Sequence, residues 1–276
     1  LKRDRLTVLG SAFKSGLASL RSGHAFREFV RDPRWPILAA MALYELETKR
    51  VNKKDFIAFV TGAEVKDVES ALNETGSINS CRGIIEKLKS IPVPRGKSLG
   101  SISYEEGEAL YAIGRLSKPN IVVETGVAQG ASSSCILQAL EDNGQGELYS
   151  IDLPPTENRL EDGWGYYILN QEVGWIIPSH LKHRWHLILG DAREELSPLL
   201  HRLGCVDIFI HDSLHTFQHQ YFEYSTAWPF IRNGGVLLSH DAALAFKQFV
   251  KEINSAFSTF GYLGGIVKEV SDETEA

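Results

Sequence analysis

Several features that mark specialised protein classes are missing from this chain of 276 residues. No apolar run approaches the roughly 18–20 residues needed to cross a bilayer, so no membrane-spanning helix is expected. Cysteine is scarce. Cys81, Cys135 and Cys205 are odd in number and widely scattered, which excludes both a disulfide framework and a CxxC metal knuckle. That usage fits a reducing cytoplasm, and all three thiols are expected to be buried and inert. Positive charge is also short, with 29 Lys and Arg against 35 Asp and Glu, a net charge of −6. A general nucleic-acid binder is usually basic, so no such partner is expected. Internal repeats and low-complexity tracts are absent. The chain opens on Leu1 rather than Met, so its first residue need not be the start of translation.

What is present is ordinary globular material, 43% hydrophobic and 23% charged, enough for one large domain or two small ones. Residues 1–100 read as a helical N-terminal extension, a lid or an oligomer interface. Leu6, Leu9, Phe13, Leu17 and Leu20 recur at steps of three and four among Lys2, Arg3, Arg5 and Lys14. That amphipathic stripe suits packing on the domain or on a second subunit, and alternatively contact of residues 1–20 with a membrane surface. Pro36 opens a helix whose Ile37, Ala40, Met41 and Tyr44 share a face. A short helix is expected from Val65 to Leu72, ending before Gly76, and a linker from Pro92 to Gly100. Ser103 with Glu106 forms a capping box that starts a helix running to about Leu116.

From residue 121 strands alternate with helices. Ile121–Glu124, Glu147–Ile151, Trp185–Leu189, Val206–Ile210 and Val236–Ser239 read as strands, with helices at Ala131–Leu140, Glu194–Leu203 and Phe217–Phe230. Such alternation predicts a Rossmann-like, doubly wound, mostly parallel α/β sheet over residues 101–276. A helix near Ala243 to Phe257 and a last strand over Tyr262–Val270 complete it, with an abbreviated sheet edge. The connection Leu153–Arg184 is long and carries Trp164, Tyr166, Tyr167 and Trp175, aromatics that either line a cleft mouth or pack on the sheet.

Ligands of such sheets bind at the carboxyl ends of the strands. The first strand ends in Glu124-Thr125-Gly126-Val127-Ala128-Gln129-Gly130, where glycines permit a tight turn and helix N–H groups follow. A dinucleotide fingerprint would want glycine at Ala128, which argues against a NAD-dependent oxidoreductase, the competing reading of this scaffold. Asp152 ends the second strand, placed to accept ribose hydroxyls or to serve a turn. Asp191 follows the third, placed to cap a helix or meet an adenine. The fourth and fifth strands end in His211-Asp212-Ser213-Leu214-His215 and Ser239-His240-Asp241, which brings Asp212, His240 and Asp241 together. Two carboxylates and an imidazole suit a divalent cation, or else Asp212 caps a helix and the others bond locally. His211, His215 and His219 are four apart, but His211 ends a strand, so the helical geometry fails there. His180, His183 and His186 read as surface residues.

In this order the motifs resemble those of the class I S-adenosylmethionine (SAM) dependent methyltransferases, over roughly residues 103–270. The strand-four and strand-five ends look like the metal-dependent small-molecule O-methyltransferases of the catechol and macrolide-sugar kind, and like the cephalosporin hydroxylase-like branch. The resemblance implies Glu124, Gly126 and Gly130 around the methionine part of the cofactor, with Ser132 in the helix turn behind. It implies Asp152 at the ribose and Asp191 near adenine. It also implies magnesium bound by Asp212 and Asp241. His240 departs from the pattern, since an acid is usual there, and admits manganese, iron or zinc as well. In those relatives the general base occupies the offset of His215, whose imidazole titrates near neutrality; the other reading is a polar residue in the first turn of the next helix. The expected activity is methylation of a hydroxyl on a small-molecule acceptor by a cytoplasmic homo-oligomer. The remaining alternative is a non-catalytic SAM-binding or membrane-apposed module.

Overall fold

The structure is a computed structural model, and it describes residues 35–92, 99, 101–153 and 171–269. The basic stripe of residues 1–20, the greater part of the linker, and Trp164, Tyr166 and Tyr167 lie outside the described residues. Among those described, no helix is long and apolar enough to cross a membrane.

Among the described residues the leading elements are helices α1 (Trp35–Thr48), α2 (Lys53–Thr61), α3 (Val65–Leu72), α4 (Thr75–Lys89) and α5 (Tyr104–Ser117). The capping box of α5 is complete: Ser103 Oγ accepts from the Glu106 amide, and Glu106 Oε2 accepts from the Ser103 amide at 2.8 Å. Lys118 ends that helix in the left-handed conformation. The short helix expected over Val65–Leu72 is α3, which ends before Gly76; that glycine lies in the next helix, α4. One expectation for this region needs correction. In α1, Ala42 and Leu46 face the interior, whereas Ile37 and Met41 face outward.

Strands β1 (Ile121–Thr125), β2 (Glu147–Asp152), β3 (Trp185–Leu189), β4 (Val206–His211) and β5 (Ile231–Ser239) alternate with α6 (Ala131–Asn143), α7 (Ala192–Leu203) and α8 (Phe217–Ala227). After α9 (Leu244–Glu252) come β6 (Phe257–Phe260) and β7 (Leu263–Val267). The strand order is β3-β2-β1-β4-β5-β7-β6, with β7 antiparallel to both its neighbours and the rest parallel. The expected abbreviated edge is thus replaced by a full hairpin. Phe257, taken for the end of a helix, starts β6, because the helix stops at Glu252 and Asn254 turns the chain at positive φ.

Both faces of the sheet are covered, and the two-residue period of the strands sorts their side chains. Val122, Ile208, Ile210, Val236 and Leu238 pack in one core with α2–α6. Val123, Phe209 and Leu237 point into a second core with α7, α8 and α9. Alternation of this kind, apolar on both faces, marks a buried parallel sheet. At the centre of the second core Phe246 is fully buried, with edge contacts to the rings of Tyr224 and Phe257. Cys81 and Cys135 are buried as expected, but Cys205, beside the Gly204 helix end, is exposed. The chain reverses its winding between β1 and β4, and that leaves a crevice at their carboxyl ends.

Candidate active site

Beyond β1 the chain turns sharply through Gly126, Ala128 and Gly130, all at positive φ. The glycines answer to the protein's own chain. A Cβ on Gly126 would lie 2.1 Å from the Asp212 carbonyl oxygen, and one on Gly130 would lie 2.6 Å from Ile177. Asp152 holds the turn from below, its Oδ2 accepting from the amides of Val127 (2.9 Å) and Ala128 (2.7 Å). From above, the Gly174 amide donates to the Ala128 carbonyl at 2.9 Å, and Trp175 Nε1 donates to Gln129 Oε1. Trp175 therefore packs the long connection onto the sheet.

Glu124, just before the turn, is fully buried and accepts from Ser132 (2.6 Å), Ser133 (2.6 Å) and Ser150 (3.0 Å). Burial pushes its carboxyl up to about 7, against the pull of the three hydroxyls and with a contribution from the Asp212 charge. Ser132 is thus turned toward Glu124. Asp191 caps α7 through the Arg193 amide (2.9 Å) and pairs with the Arg193 guanidinium (2.8 Å), which holds its carboxyl below the usual range. Residues 180, 183 and 186 are exposed histidines, the last two paired with Glu141 and Glu147.

The ends of β4 and β5 lie side by side, joined by the His240 amide donating to the His211 carbonyl at 2.8 Å. This register brings Asp212, His215, His240 and Asp241 together. His240 Nδ1 stands 3.0 Å from Asp212 Oδ1, and His215 Nε2 stands 3.6 Å from that same oxygen. Asp241 Oδ2 is 3.3 Å from His215 Nδ1 and 4.0 Å from His240 Nδ1. The cluster opens outward at Asp241, the most exposed of the four. Ligand atoms of Asp212, His215 and His240 all fall within 4.8 Å of one another. Nδ1 of His215 and both ring nitrogens of His240 are buried without a hydrogen-bond partner. Orphaned imidazole nitrogens beside carboxylates are what a mixed nitrogen and oxygen cation site presents, so the residues fit a divalent ion.

The two imidazoles differ in charge. Burial lowers His215, outweighing the attraction of Asp212 and Asp241, so it is neutral at pH 7. Burial also opposes charge on His240, but Asp212, Glu106 and Asp241 prevail and raise it to about 11, so a cation held by this ring would have to displace its proton. Glu106 is a member of this site that the sequence reading missed. Recognised only as a helix cap, it also accepts from the Tyr262 amide at 2.7 Å and places Oε2 3.9 Å from His240 Nε2. Burial opposes its charge, yet His240 and the two amides bring its carboxyl down to about 2. Glu223 is the second omission. It gathers His211 and His219 beneath the cluster, and its one sequence signal is the four-residue spacing from His219.

Among curated proteins no relative matches the chain. Similar solved structures include the MycE methyltransferase from the mycinamycin biosynthetic pathway, in complex with Mg, SAH and mycinamycin VI. It is 18% identical, with a TM-score of 0.42, and the match covers 58% of this chain and 48% of that one. This chain therefore spans about half the length of that MycE chain. The SAH-bound methyltransferase PaMTH1 of Podospora anserina is 14% identical over 69% of this chain and 88% of its own, with a TM-score of 0.48. The O-methyltransferase TomG of Streptomyces achromogenes, in complex with SAM, is 16% identical over 70% and 89%, with a TM-score of 0.47. Residues 123–242, from β1 to just past Asp241, match a family model described as a methyltransferase domain.

Proposed function

We propose that this protein transfers the methyl group of SAM to a hydroxyl of a small molecule, at the cluster formed by Asp212, His215, His240 and Asp241. The observation that carries the reading is the shared wall between that cluster and the glycine turn. The Asp212 amide donates to the Thr125 carbonyl at 2.8 Å, one residue before Gly126. A methyl donor held at the turn and an acceptor held at the cluster would therefore meet across one backbone contact.

In this reading Gly126, Gly130 and Asp152 form the donor side. Glu124 and Ser132 keep the turn in shape, and Asp191 stands at the adenine end. Asp212, His240 and Asp241 hold a divalent cation, magnesium or manganese. When bound, such an ion supplies positive charge that orients the acceptor oxygen and lowers its hydroxyl pKa. His215, neutral because it is buried, takes the hydroxyl proton as the oxygen attacks the methyl carbon. The carbon–sulfur bond breaks and S-adenosylhomocysteine leaves. Placement of the two reactants is the scaffold's main contribution, worth about 7–11 kcal/mol in favourable cases. The helical front serves as a lid or as the interface of a homo-oligomer, and the scarce, unpaired cysteines suit the cytoplasm.

Methyl transfer from labelled SAM to a panel of phenols, catechols and glycosides tests the reading, with Mn²⁺ binding followed by electron paramagnetic resonance. His215→Ala is expected to abolish transfer and to keep Mn²⁺ affinity within about threefold. Asp212→Asn is expected to lose both. Unchanged turnover in His215→Ala removes the base from the mechanism, and lost Mn²⁺ binding there makes His215 a ligand instead.

A further inference from the structure

Beneath the cluster lies a carboxylate with no evident place in the chemistry. Glu223, on α8, is fully buried. Its Oε2 accepts from Thr125 Oγ1 (2.5 Å) and His211 Nδ1 (2.5 Å), and its Oε1 accepts from Ser213 Oγ (2.8 Å) and His219 Nε2 (2.8 Å). An ionised carboxylate offers about four lone-pair sites and no donor, so these four bonds fill it. They also fix the tautomers of both histidines, since each must carry its proton on the nitrogen facing Glu223.

The four partners are the chain positions around the site. Thr125 directly precedes Gly126 of the donor turn. His211 and Ser213 flank Asp212 on either side. His219 lies in the first turn of α8, four residues beyond His215, and the His211 ring meets the His215 ring edge-on at 5.5 Å between centroids. One side chain thus ties the ends of β1 and β4 to the first turn of α8. A stability role alone would not require three of the four bonds to land directly beside Gly126 and Asp212. We propose that Glu223 is the positioning residue of this active site, setting the loop that presents Asp212 and His215 against the donor turn. The inference rests on the reading of Asp212 and His215 given above.

The test uses the full chain as wild type, Glu223→Gln and Ser213→Ala. The amide in Glu223→Gln keeps the shape but points a donor at two donors, while Ser213→Ala removes a single bond. Mn²⁺ affinity is measured by electron paramagnetic resonance, and the imidazole ¹⁵N resonances of His215 are recorded without metal. Glu223→Gln is expected to weaken Mn²⁺ at least tenfold and to move the His215 resonances, with Ser213→Ala showing a smaller change of the same sign. Urea midpoints separate these shifts from loss of fold, and if Glu223→Gln does not fold, Ser213→Ala decides. If wild type binds no Mn²⁺, the cation reading fails on its own, and the His215 resonances still judge Glu223. Resonances unmoved in the folded variants overturn the proposal.

Discussion

Replacing Glu124 by Gln should remove a slope from the pH dependence of stability. In the unfolded chain this carboxyl titrates near 4.5, and in the folded protein near 7. Because the folded value is raised, the folded state binds more protons between those limits, and stability falls as pH rises through the window. The gap of about 2.5 pH units, at about 1.4 kcal/mol each, amounts to about 3.5 kcal/mol, of which about 3 kcal/mol falls between pH 4.5 and 8. Glutamine carries no titrating proton, and the hydroxyls of Ser132, Ser133 and Ser150 can turn to meet its amide. Urea unfolding of the SAM-free protein at intervals from pH 4.5 to 8 should show wild type losing about 3 kcal/mol relative to Glu124→Gln. Every other titrating group cancels in that difference. Parallel stability curves for the two proteins would mean that the buried carboxyl ionises as freely as an exposed one.

Other substitutions test the packing around the site. Gly126→Ala should abolish folding or cost several kcal/mol, since its Cβ would lie 2.1 Å from the Asp212 carbonyl at a φ of +84; a thermal midpoint within a degree or two of wild type would contradict it. Ser103→Ala should lower stability by about 1 kcal/mol through loss of the α5 cap, measurable by denaturant midpoint. Phe246→Ala should cost about 3–5 kcal/mol, because it empties the centre of the second core; a loss below about 1 kcal/mol would mean that the aromatic cluster collapses to fill the space.

The sequence made local signals legible and long-range ones not. The capping box at Ser103 and Glu106 is written within four residues, and α5 begins where it says. Strand positions were readable because β-branched runs ended in Asp152, Asp212 and Asp241, polar residues that mark the sheet's carboxyl edge. Parallel order then followed from the helices between. The hairpin β6–β7 was harder to see, since Phe257 and Phe260 are spaced as on a helix and the stop at Glu252 carries no glycine or proline. At the site, convergence of Asp212, His240 and Asp241 could be read from adjoining strand ends. Glu106 could not, because its approach to His240 depends on α5 packing against the turn at Tyr262. Nor could Glu223, whose bond to Thr125 spans 98 residues. The glycine turn teaches a related lesson. Gly126 and Gly130 suggested a ligand's approach, yet each is already required by a neighbouring piece of the protein's own chain.

A methyl donor bound at the turn joining β1 to α6 should be seen by calorimetric titration of SAM into the metal-stripped protein, with NAD as the control ligand and Asp152→Ala alongside. Micromolar SAM binding with no heat from NAD is expected, and a loss of at least tenfold in Asp152→Ala, which takes away the support of the Val127 and Ala128 amides. Absence of SAM binding by the folded wild-type protein, with or without Mn²⁺, would contradict this expectation.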